Sequence, residues 1–208
     1  MHLPNEYISD ATCIATAAIS ATAITWATSS TLKTKMKENS ALALGVATSL
    51  VFVAQMLNYP IMNGVSGHLI GGALLGALFG PARAILAMVS ITLFQALLLG
   101  DGGLAAIGAN SINLAIIPAL LGAGGARLCQ CIEFKAVAIA SAAVIATFLG
   151  AISASVMIST SSNATLSESL HAMAYSHLIA GLYEGGLTLV AYALVQRFIK
   201  VSELETIR

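Results

Sequence analysis

The chain has 208 residues, of which 58% are apolar and only 9% are charged. Soluble domains carry about 25% charged residues, so this composition excludes a soluble globule of this size. Nine basic and nine acidic residues cancel, which leaves a nucleic-acid partner without electrostatic support. The apolar residues come in long runs, and these predict an all-α integral membrane protein with a single transmembrane domain over 1–208.

Seven apolar segments follow one another along the chain. They are Ile8–Leu32, Ala41–Asn58, Ser66–Phe79, Ala84–Leu99, Leu104–Gly125, Ala136–Ile158 and Leu170–Phe198. We expect an outer tail over 1–7, a seven-helix bundle over 8–198 and a cytoplasmic tail over 199–208. The third segment falls short of the ~20 residues that a span needs, so we expect a short helix or one that starts from an ordered loop. No basic residue precedes the first segment, which argues against a cleaved signal peptide.

The basic residues predict the orientation of the bundle. Lys and Arg favour cytoplasmic loops. With seven spans and the amino terminus outside, every basic residue falls on the cytoplasmic side, namely Lys33, Lys35, Lys37, Arg83, Arg127, Lys135, Arg197, Lys200 and Arg208. The four histidines, His2, His68, His171 and His177, then fall on the outer side. This separation favours a metal site that opens outward.

The second residue is a histidine, in the stretch MHLPNEYIS. If the amine of Met1 is free, that amine, the amide nitrogen of His2 and the His2 ring nitrogen can chelate one ion in nearly one plane. A fourth nitrogen would complete a square, and square-planar nitrogen sites suit Ni(II) or Cu(II). The alternative interpretation is a mobile terminus in which the histidine is incidental.

The stretch QMLNYPIMNGVSGHLIGGALLGALFG places His68 after a turn-rich loop and before a glycine-lined helix. A neutral imidazole is the commonest metal ligand in proteins, so His68 could supply the fourth nitrogen. It could instead simply cap the helix at the membrane interface. Gly72, Gly76 and Gly80 recur every fourth residue, which predicts close packing by another helix.

Two asparagines follow an outer turn in GDGGLAAIGANSINLAIIP, where the turn contains Asp101. Asn110 and Asn113 are three residues apart and therefore share a helix face. Buried amides at such positions either join two helices or support a metal ligand. We expect Pro118 to bend this helix.

The last segment carries two ionisable groups in HLIAGLYEGGLTL. His177 and Glu184 are seven residues apart, so they share a face about 10 Å apart along the axis. A carboxylate within a span is costly and points to function, although an interhelical hydrogen bond could also retain it. Gly181 and Gly185 form another close-packing pair.

Taken together, MHLPNEYIS, QMLNYPIMNGVSGHLIGGALLGALFGP, QALLLGDGGLAAIGANSINL and HLIAGLYEGGLTL resemble one family. It is the substrate-binding membrane subunit of nickel and cobalt energy-coupling-factor transporters, the CbiM/NikM family. The resemblance implies a six-helix substrate-binding core with one added amino-terminal helix. It also implies a metal held by the terminal amine, the amide and ring of the second residue, and the histidine of the SGH motif, which are Met1, His2 and His68 here. The chain departs from the family at Glu6, where the family usually has glycine.

The resemblance further implies a non-enzyme that works with other subunits in a prokaryotic cell membrane. The partners are a transmembrane coupling subunit, two cytoplasmic ATPases and often a small accessory membrane subunit. Ni²⁺ or Co²⁺ would be the transported substrate, and no organic cofactor is implied. The residues 129–169 carry little of the family pattern.

Two other functions remain open on the sequence. A vitamin-binding subunit of the same transporter class would need a larger aromatic-lined pocket. The chain has a single tryptophan, Trp26, which argues against such a pocket. An intramembrane metalloenzyme could use His171, His177 and Glu184, but the chain has no HExxH motif. The square-planar argument favours nickel without separating it from cobalt.

Overall fold

The computed structural model describes residues 2–62, 65–128 and 132–198. A short 3₁₀ turn, Asn5–Tyr7, precedes the first helix. Two short antiparallel strands, β1 (Tyr59–Met62) and β2 (Val65–Gly67), form a hairpin between the second and third helices. The helices are α1 (Asp10–Lys33), α2 (Glu38–Gln55), α3 (Gly72–Phe79), α4 (Pro81–Phe94), α5 (Ile107–Ser111), α6 (Ile117–Leu128), α7 (Ile132–Ser161) and α8 (Leu166–Phe198).

Within the residues that the structure describes, five stretches of helix are long and apolar enough to cross a membrane. They are Asp10–Lys33, Pro81–Leu99, Ile107–Leu128, Phe134–Ser161 and Leu166–Arg197. Large apolar side chains point outward along them, such as Ile19 on α1 and Leu182 on α8. An exposed apolar surface of this extent requires lipid around it, so the chain is a multi-pass membrane protein.

The third helix is short, as the sequence predicts. α3 has 8 residues, and seven of them are buried. An ordered stretch from the β-hairpin through Gly71 leads into it. Gly71 has a φ of 75°, and a Cβ there would lie 2.6 Å from the Val51 side chain, so both the conformation and the space require glycine. The residues just before α3, which include His68, are therefore held in one path.

The centre of the bundle is the contact between α3 and α6. The backbone of α6 approaches so closely that a Cβ on Gly76 would collide with the Ala119 carbonyl, and one on Gly122 with the Ala73 carbonyl. Gly72 also lies against α6, at Pro118. Gly80 differs from the predicted packing role, because no atom lies within 4 Å of its Cβ position. Its φ of 79° instead serves the turn between α3 and α4.

Two π-helical turns interrupt the helices near the same end of the bundle. One, Gln95–Leu99, extends α4, and the other, Ile112–Ile116, joins α5 to α6. The second turn ends shortly before Pro118, which cannot donate a backbone hydrogen bond. π-helical turns occur often at functional sites because they redirect side chains. Here the first turn begins at Gln95 and the second follows Asn110, and both of these polar residues are buried.

Candidate metal-binding site

Two buried histidines from distant parts of the sequence meet at one end of the bundle. The Nδ1 atom of His2 lies 3.0 Å from the Nε2 atom of His68. Their rings are stacked, with centroids 4.7 Å apart and planes inclined by 30°. His2 is 1% exposed and His68 is 3% exposed. The amino-terminal segment and the loop before α3 thus bring together the two side chains that the sequence singles out as ligands.

The hydrogen bond of His68 leaves its Nε2 atom available. Its Nδ1 atom lies 2.6 Å from the Leu69 carbonyl oxygen, which can only accept a hydrogen bond. Nδ1 of His68 therefore carries the proton, and Nε2 presents a lone pair toward His2. A histidine that donates one ring N–H to a carbonyl and ligates through the other nitrogen is the usual arrangement at metal sites.

Asn110 holds the amino-terminal segment in place. The Leu3 amide donates to Oδ1 of Asn110 at 2.7 Å, and Nδ2 of Asn110 donates to the Leu3 carbonyl at 3.0 Å. The Gly103 amide donates to the same carbonyl at 2.9 Å. Leu3 is itself fully buried, so the residue next to His2 is fixed by three hydrogen bonds and by packing.

The turn that follows the first π-helical turn lies against His2. The amides of Gly100 and Asp101 both donate to the Gln95 carbonyl. Oδ1 of Asp101 then lies 3.3 Å from Nδ1 of His2. A side chain on Gly103 would collide with Asn5, so the turn and the amino-terminal segment are in tight contact. The sequence predicts only a turn at Asp101 and does not indicate its contact with His2.

Glu184 acts on the loop that carries His68. Its Oε2 atom accepts from the Ile70 amide at 2.8 Å, and its Oε1 atom accepts from the Gly71 amide at 2.6 Å. Glu184 is 4% exposed and lies in α8, more than a hundred residues from this loop. The buried carboxylate thus fixes the path of the backbone immediately after His68.

The other two candidate supporting residues do not touch this pair of histidines. Nδ2 of Asn113 donates to the Met157 sulfur at 3.8 Å, so this amide joins two helices. Nδ1 of His177 donates to the Met173 carbonyl within α8 at 2.7 Å. His171 is exposed. Met1, the third expected ligand residue, lies outside the described residues.

Burial keeps both imidazoles neutral. The pKa of His2 is lowered chiefly by burial, although its hydrogen bond with Asp101 acts in the opposite direction. Burial also holds the pKa of His68 well below its ordinary value. A neutral imidazole has a free lone pair, which is the form that binds a metal ion.

The spacing of the two nitrogens suits adjacent ligands of one metal ion. Metal–imidazole distances are about 2.0–2.1 Å, so two ligands at right angles lie roughly 2.8–3.0 Å apart. Among the described residues, no group of three or more His, Cys, Asp or Glu side chains could hold a metal ion. Within the described part of the chain, His2 and His68 thus present two ring nitrogens at this spacing.

A cavity of about 330 Å³ lies elsewhere, between the end of α1, the α3–α4 turn and α6. Trp26, Arg83 and Arg127 are among its lining residues, and neither His2 nor His68 is. Arg83 donates to the Thr34 carbonyl at this end of the bundle. The histidine pair is thus separate from this cavity.

The sequence and the fold both match known transport proteins. The family model CbiM, described as cobalt uptake substrate-specific transmembrane region, matches residues 2–200. The chain is 35% identical to the probable fused nickel transport protein LarMN of Lactiplantibacillus plantarum, over 99% of this chain and 67% of that protein. It is 32% identical to the cobalt transport protein CbiM of Lachnoclostridium phytofermentans, over 62% of this chain and 52% of that protein.

A crystal structure of a transition metal transporter superposes on 95% of the chain, with a TM-score of 0.86 and 29% sequence identity. The superposition covers 93% of that transporter chain. A second crystal structure, of a truncated transition metal transporter, has a TM-score of 0.85 and 30% identity, over 95% of this chain and 99% of that one. The sequence match over almost the whole chain and the shared fold agree, and the chain belongs to the CbiM family of cobalt uptake substrate-specific transmembrane regions.

Proposed function

We propose that the chain captures Ni²⁺ or Co²⁺ at the outer face of a prokaryotic cell membrane for uptake. The observation that carries this proposal is the 3.0 Å distance between Nδ1 of His2 and Nε2 of His68, two buried ring nitrogens that face each other. Relatives named as nickel and cobalt transport proteins support the choice of ions. The chain is a transport component and not an enzyme.

The complete ligand set that we propose has four nitrogens. His2 would contribute Nδ1 and its amide nitrogen, His68 would contribute Nε2, and the amine of Met1 would be the fourth. Amine, amide and Nδ1 form two fused chelate rings, in which the position opposite the amide is left for one more ligand. Nε2 of His68 lies at the distance from Nδ1 that this position requires. Square-planar nitrogen sites favour Ni(II), and this supports nickel over magnesium or calcium.

We also propose a seven-helix arrangement with the amino terminus outside and the tail over 199–208 in the cytoplasm. α2 has 18 residues and would extend about 27 Å, close to the ~30 Å core of a bilayer. α3 would cross only part of it. Contacts between helix ends support the alternation: Ser161 at the end of α7 donates to Thr12 near the start of α1, whereas Arg83 and Thr34 meet at the opposite end.

Cysteine labelling of intact cells tests this orientation. Cys129 and Cys131 lie outside the described residues, between the end of α6 and the start of α7. A membrane-impermeant thiol reagent should not modify them until the membrane is permeabilised. Modification from outside would reverse the proposed orientation.

The transporter that we propose contains more than this chain. A transmembrane coupling subunit, two cytoplasmic ATPases and a small accessory membrane subunit would complete it, because capture of an ion does not by itself drive uptake. Copurification of the chain with these subunits from the native membrane tests this composition.

Nickel titration of the purified chain tests the ion-capture proposal. His68→Ala should weaken nickel and cobalt binding by at least tenfold, because one of four ligand bonds is lost. His171→Ala is the matched control, since this exposed histidine lies away from the pair, and it should bind as the wild type does. Unchanged titrations of the His68 variant would overturn the proposed site.

A further inference from the structure

The backbone just after His68 is held from two sides by side chains of distant helices. The two carboxylate oxygens of Glu184 in α8 accept from the amides of Ile70 and Gly71. On the other side, Nε2 of Gln55 donates to the Ile70 carbonyl at 2.6 Å. Gln55 is the last residue of α2 and is 1% exposed. Both backbone groups of Ile70 are thus fixed by buried side chains, and His68 lies only two residues away.

Gln55 also bonds to the part of the chain that leads to the turn against His2. A backbone carbonyl can only accept, so Gln55 presents its NH₂ group to Ile70 and its Oε1 atom to the other side. That Oε1 atom accepts from Nε2 of Gln95 at 3.0 Å. Gln95 is fully buried and begins the first π-helical turn. The two hydrogen bonds of Gln55 therefore join the loop of His68 to the start of this π-helical turn.

The backbone of Gln95 continues the connection to the amino-terminal segment. Its carbonyl accepts from the Asp101 amide at 3.1 Å. Oδ1 of Asp101 lies 3.3 Å from Nδ1 of His2, and two residues further on the Gly103 amide donates to the Leu3 carbonyl. A continuous series of contacts thus runs from the loop of one histidine to the segment of the other. The side chain that ends α2 joins the two halves of this series.

The last turns of α2 are attached to the bundle through the same loop. Of the 18 residues of α2, only Ser40, Val51 and Gln55 are buried. Val51 lies so close to Gly71 that a Cβ on this glycine would be 2.6 Å from the valine side chain. Both buried residues near the end of α2 therefore contact the backbone that follows His68. An apolar side chain would pack α2 here without the cost of burying an amide, so packing alone does not account for a glutamine.

We propose that Gln55 is a positioning residue that holds the loop of His68 against the π-helical turn at Gln95, and thereby sets the distance between His68 and His2. The inference rests on the proposed function, because the two histidines are the candidate ligands. The amide of Gln55 bonds to Ile70 and Gln95 and so acts on the histidines only through the backbone. Its removal leaves the Ile70 carbonyl and the Gln95 NH₂ group without these bonds, and the loop and the turn can then move apart.

Three variants separate this role from packing and from overall stability. Gln55→Met keeps the length of the side chain and removes both hydrogen bonds. Gln95→Met removes the bond between the two glutamines and leaves the bond of Gln55 with Ile70. Ser155→Ala is the matched control, because the buried Ser155 hydroxyl joins α7 to α8 by donating to the Ser169 carbonyl.

The first measurement is amide hydrogen exchange of the metal-free protein, read by mass spectrometry. In Gln55→Met the peptides that contain Ile70 and Asp101 should exchange faster than in the wild type, because both segments lose a fixed attachment. Ser155→Ala should instead speed exchange where α7 meets α8 and leave these two peptides unchanged. Exchange in Gln55→Met that is unchanged at both peptides, or raised equally along the whole chain, would overturn the inference.

The second measurement is a nickel titration of the same proteins, with melting temperatures to confirm folding. Gln55→Met should bind nickel about tenfold more weakly than the wild type, and Ser155→Ala should bind as the wild type does. Gln95→Met should also weaken binding. The double variant should lose less than the product of the two single losses, because both changes remove one shared hydrogen bond. Losses that multiply would show that the two glutamines act independently, against the inference.

The remaining outcomes distinguish this inference from the proposed function. If Gln55→Met binds nickel as the wild type does while His68→Ala does not, the inference is wrong and the proposed site stands. If His68→Ala also binds as the wild type does, the proposed function is wrong. If Ser155→Ala loses as much affinity as Gln55→Met, affinity follows overall stability and the positioning role is excluded. Should Gln55→Met fail to fold, wild-type affinity in Gln95→Met overturns the inference.

Discussion

Asn110 makes two hydrogen bonds to the backbone of Leu3, one accepted from its amide and one donated to its carbonyl. An asparagine side chain that pairs with both groups of one residue acts like a neighbouring strand. The Asn110 side chain thereby fixes the position and the orientation of the amino-terminal segment, and hence the position of His2. Asn110, which the sequence marks as a possible support for a metal ligand, therefore acts on the backbone next to His2.

Asn110→Leu should weaken nickel binding by about 10–100-fold while the protein still folds, because the amino-terminal segment loses its main attachment. Asn113→Leu is the matched control. It lies one turn away and contacts a methionine sulfur, so it should change stability more than affinity. Isothermal titration of both variants measures this, and equal losses of affinity would contradict the role assigned to Asn110.

Glu184→Gln should weaken nickel binding by about tenfold. The glutamine offers one acceptor oxygen, but its NH₂ group would face a backbone N–H of Ile70 or Gly71, and the loop of His68 would move. Glu168→Gln serves as the control, because Glu168 is exposed and pairs locally with Thr165. Titration of detergent-solubilised protein tests the difference, and a Glu184 variant with normal affinity would show that the loop keeps its path without the carboxylate.

Metal affinity should fall as the pH is lowered from about 8 to 5. Protons compete with the metal for each ligand nitrogen. Burial lowers the pKa of His2 and His68, so their protonation opposes binding only below the ordinary histidine value of about 6.5. A loss of affinity that already begins between about pH 8 and 7 would come from an α-amine, whose reference pKa is about 7.7–8.0. Titrations at four pH values distinguish these cases, and affinity that is constant across the range would exclude an α-amine as a ligand.

Gly122→Ala should destabilise the protein by about 1–3 kcal/mol, because the added methyl group would collide with the Ala73 carbonyl where α6 meets α3. Gly124→Ala, on the same helix, meets nothing within 4 Å. It should leave stability unchanged or raise it by up to about 1 kcal/mol through better helix propensity. Thermal unfolding in one detergent compares the pair, and similar melting temperatures would mean that α3 and α6 can separate at little cost.

Much of the candidate site can be predicted from the sequence because its residues have a distinctive chemistry. A histidine at position 2, a histidine before a glycine-lined helix, and the unusual polar residues Asn110 and Glu184 stand out in an apolar chain. Asn113 and His177 carry the same signal, yet neither touches the two histidines. A polar residue in a span needs a hydrogen-bond partner, but the sequence does not indicate which residue provides it.

The hydrogen bond between Gln55 and Gln95 and the contact of Asp101 with His2 were not predicted. Both glutamines lie within apolar segments, Ala41–Asn58 and Ala84–Leu99, where the sequence does not indicate their partners. The two side chains are 40 residues apart in sequence, and their hydrogen bond depends on how α2 packs against α4. The π-helical turn at Gln95 adds to the difficulty, because it redirects the side chains that follow from the positions expected in a regular helix.

The sequence by itself determined the membrane class, most of the helices and the two histidines, because apolar run length and ligand chemistry are local properties of the chain. Only the tertiary structure decided that His2 and His68 meet at 3.0 Å, that Asn110 holds Leu3 across 107 residues, and that Glu184 holds the loop after His68. These contacts depend on the close approach of helices such as α3 and α6. The distance between two side chains on different helices follows from the packing of the whole bundle, and no local pattern of residues specifies it.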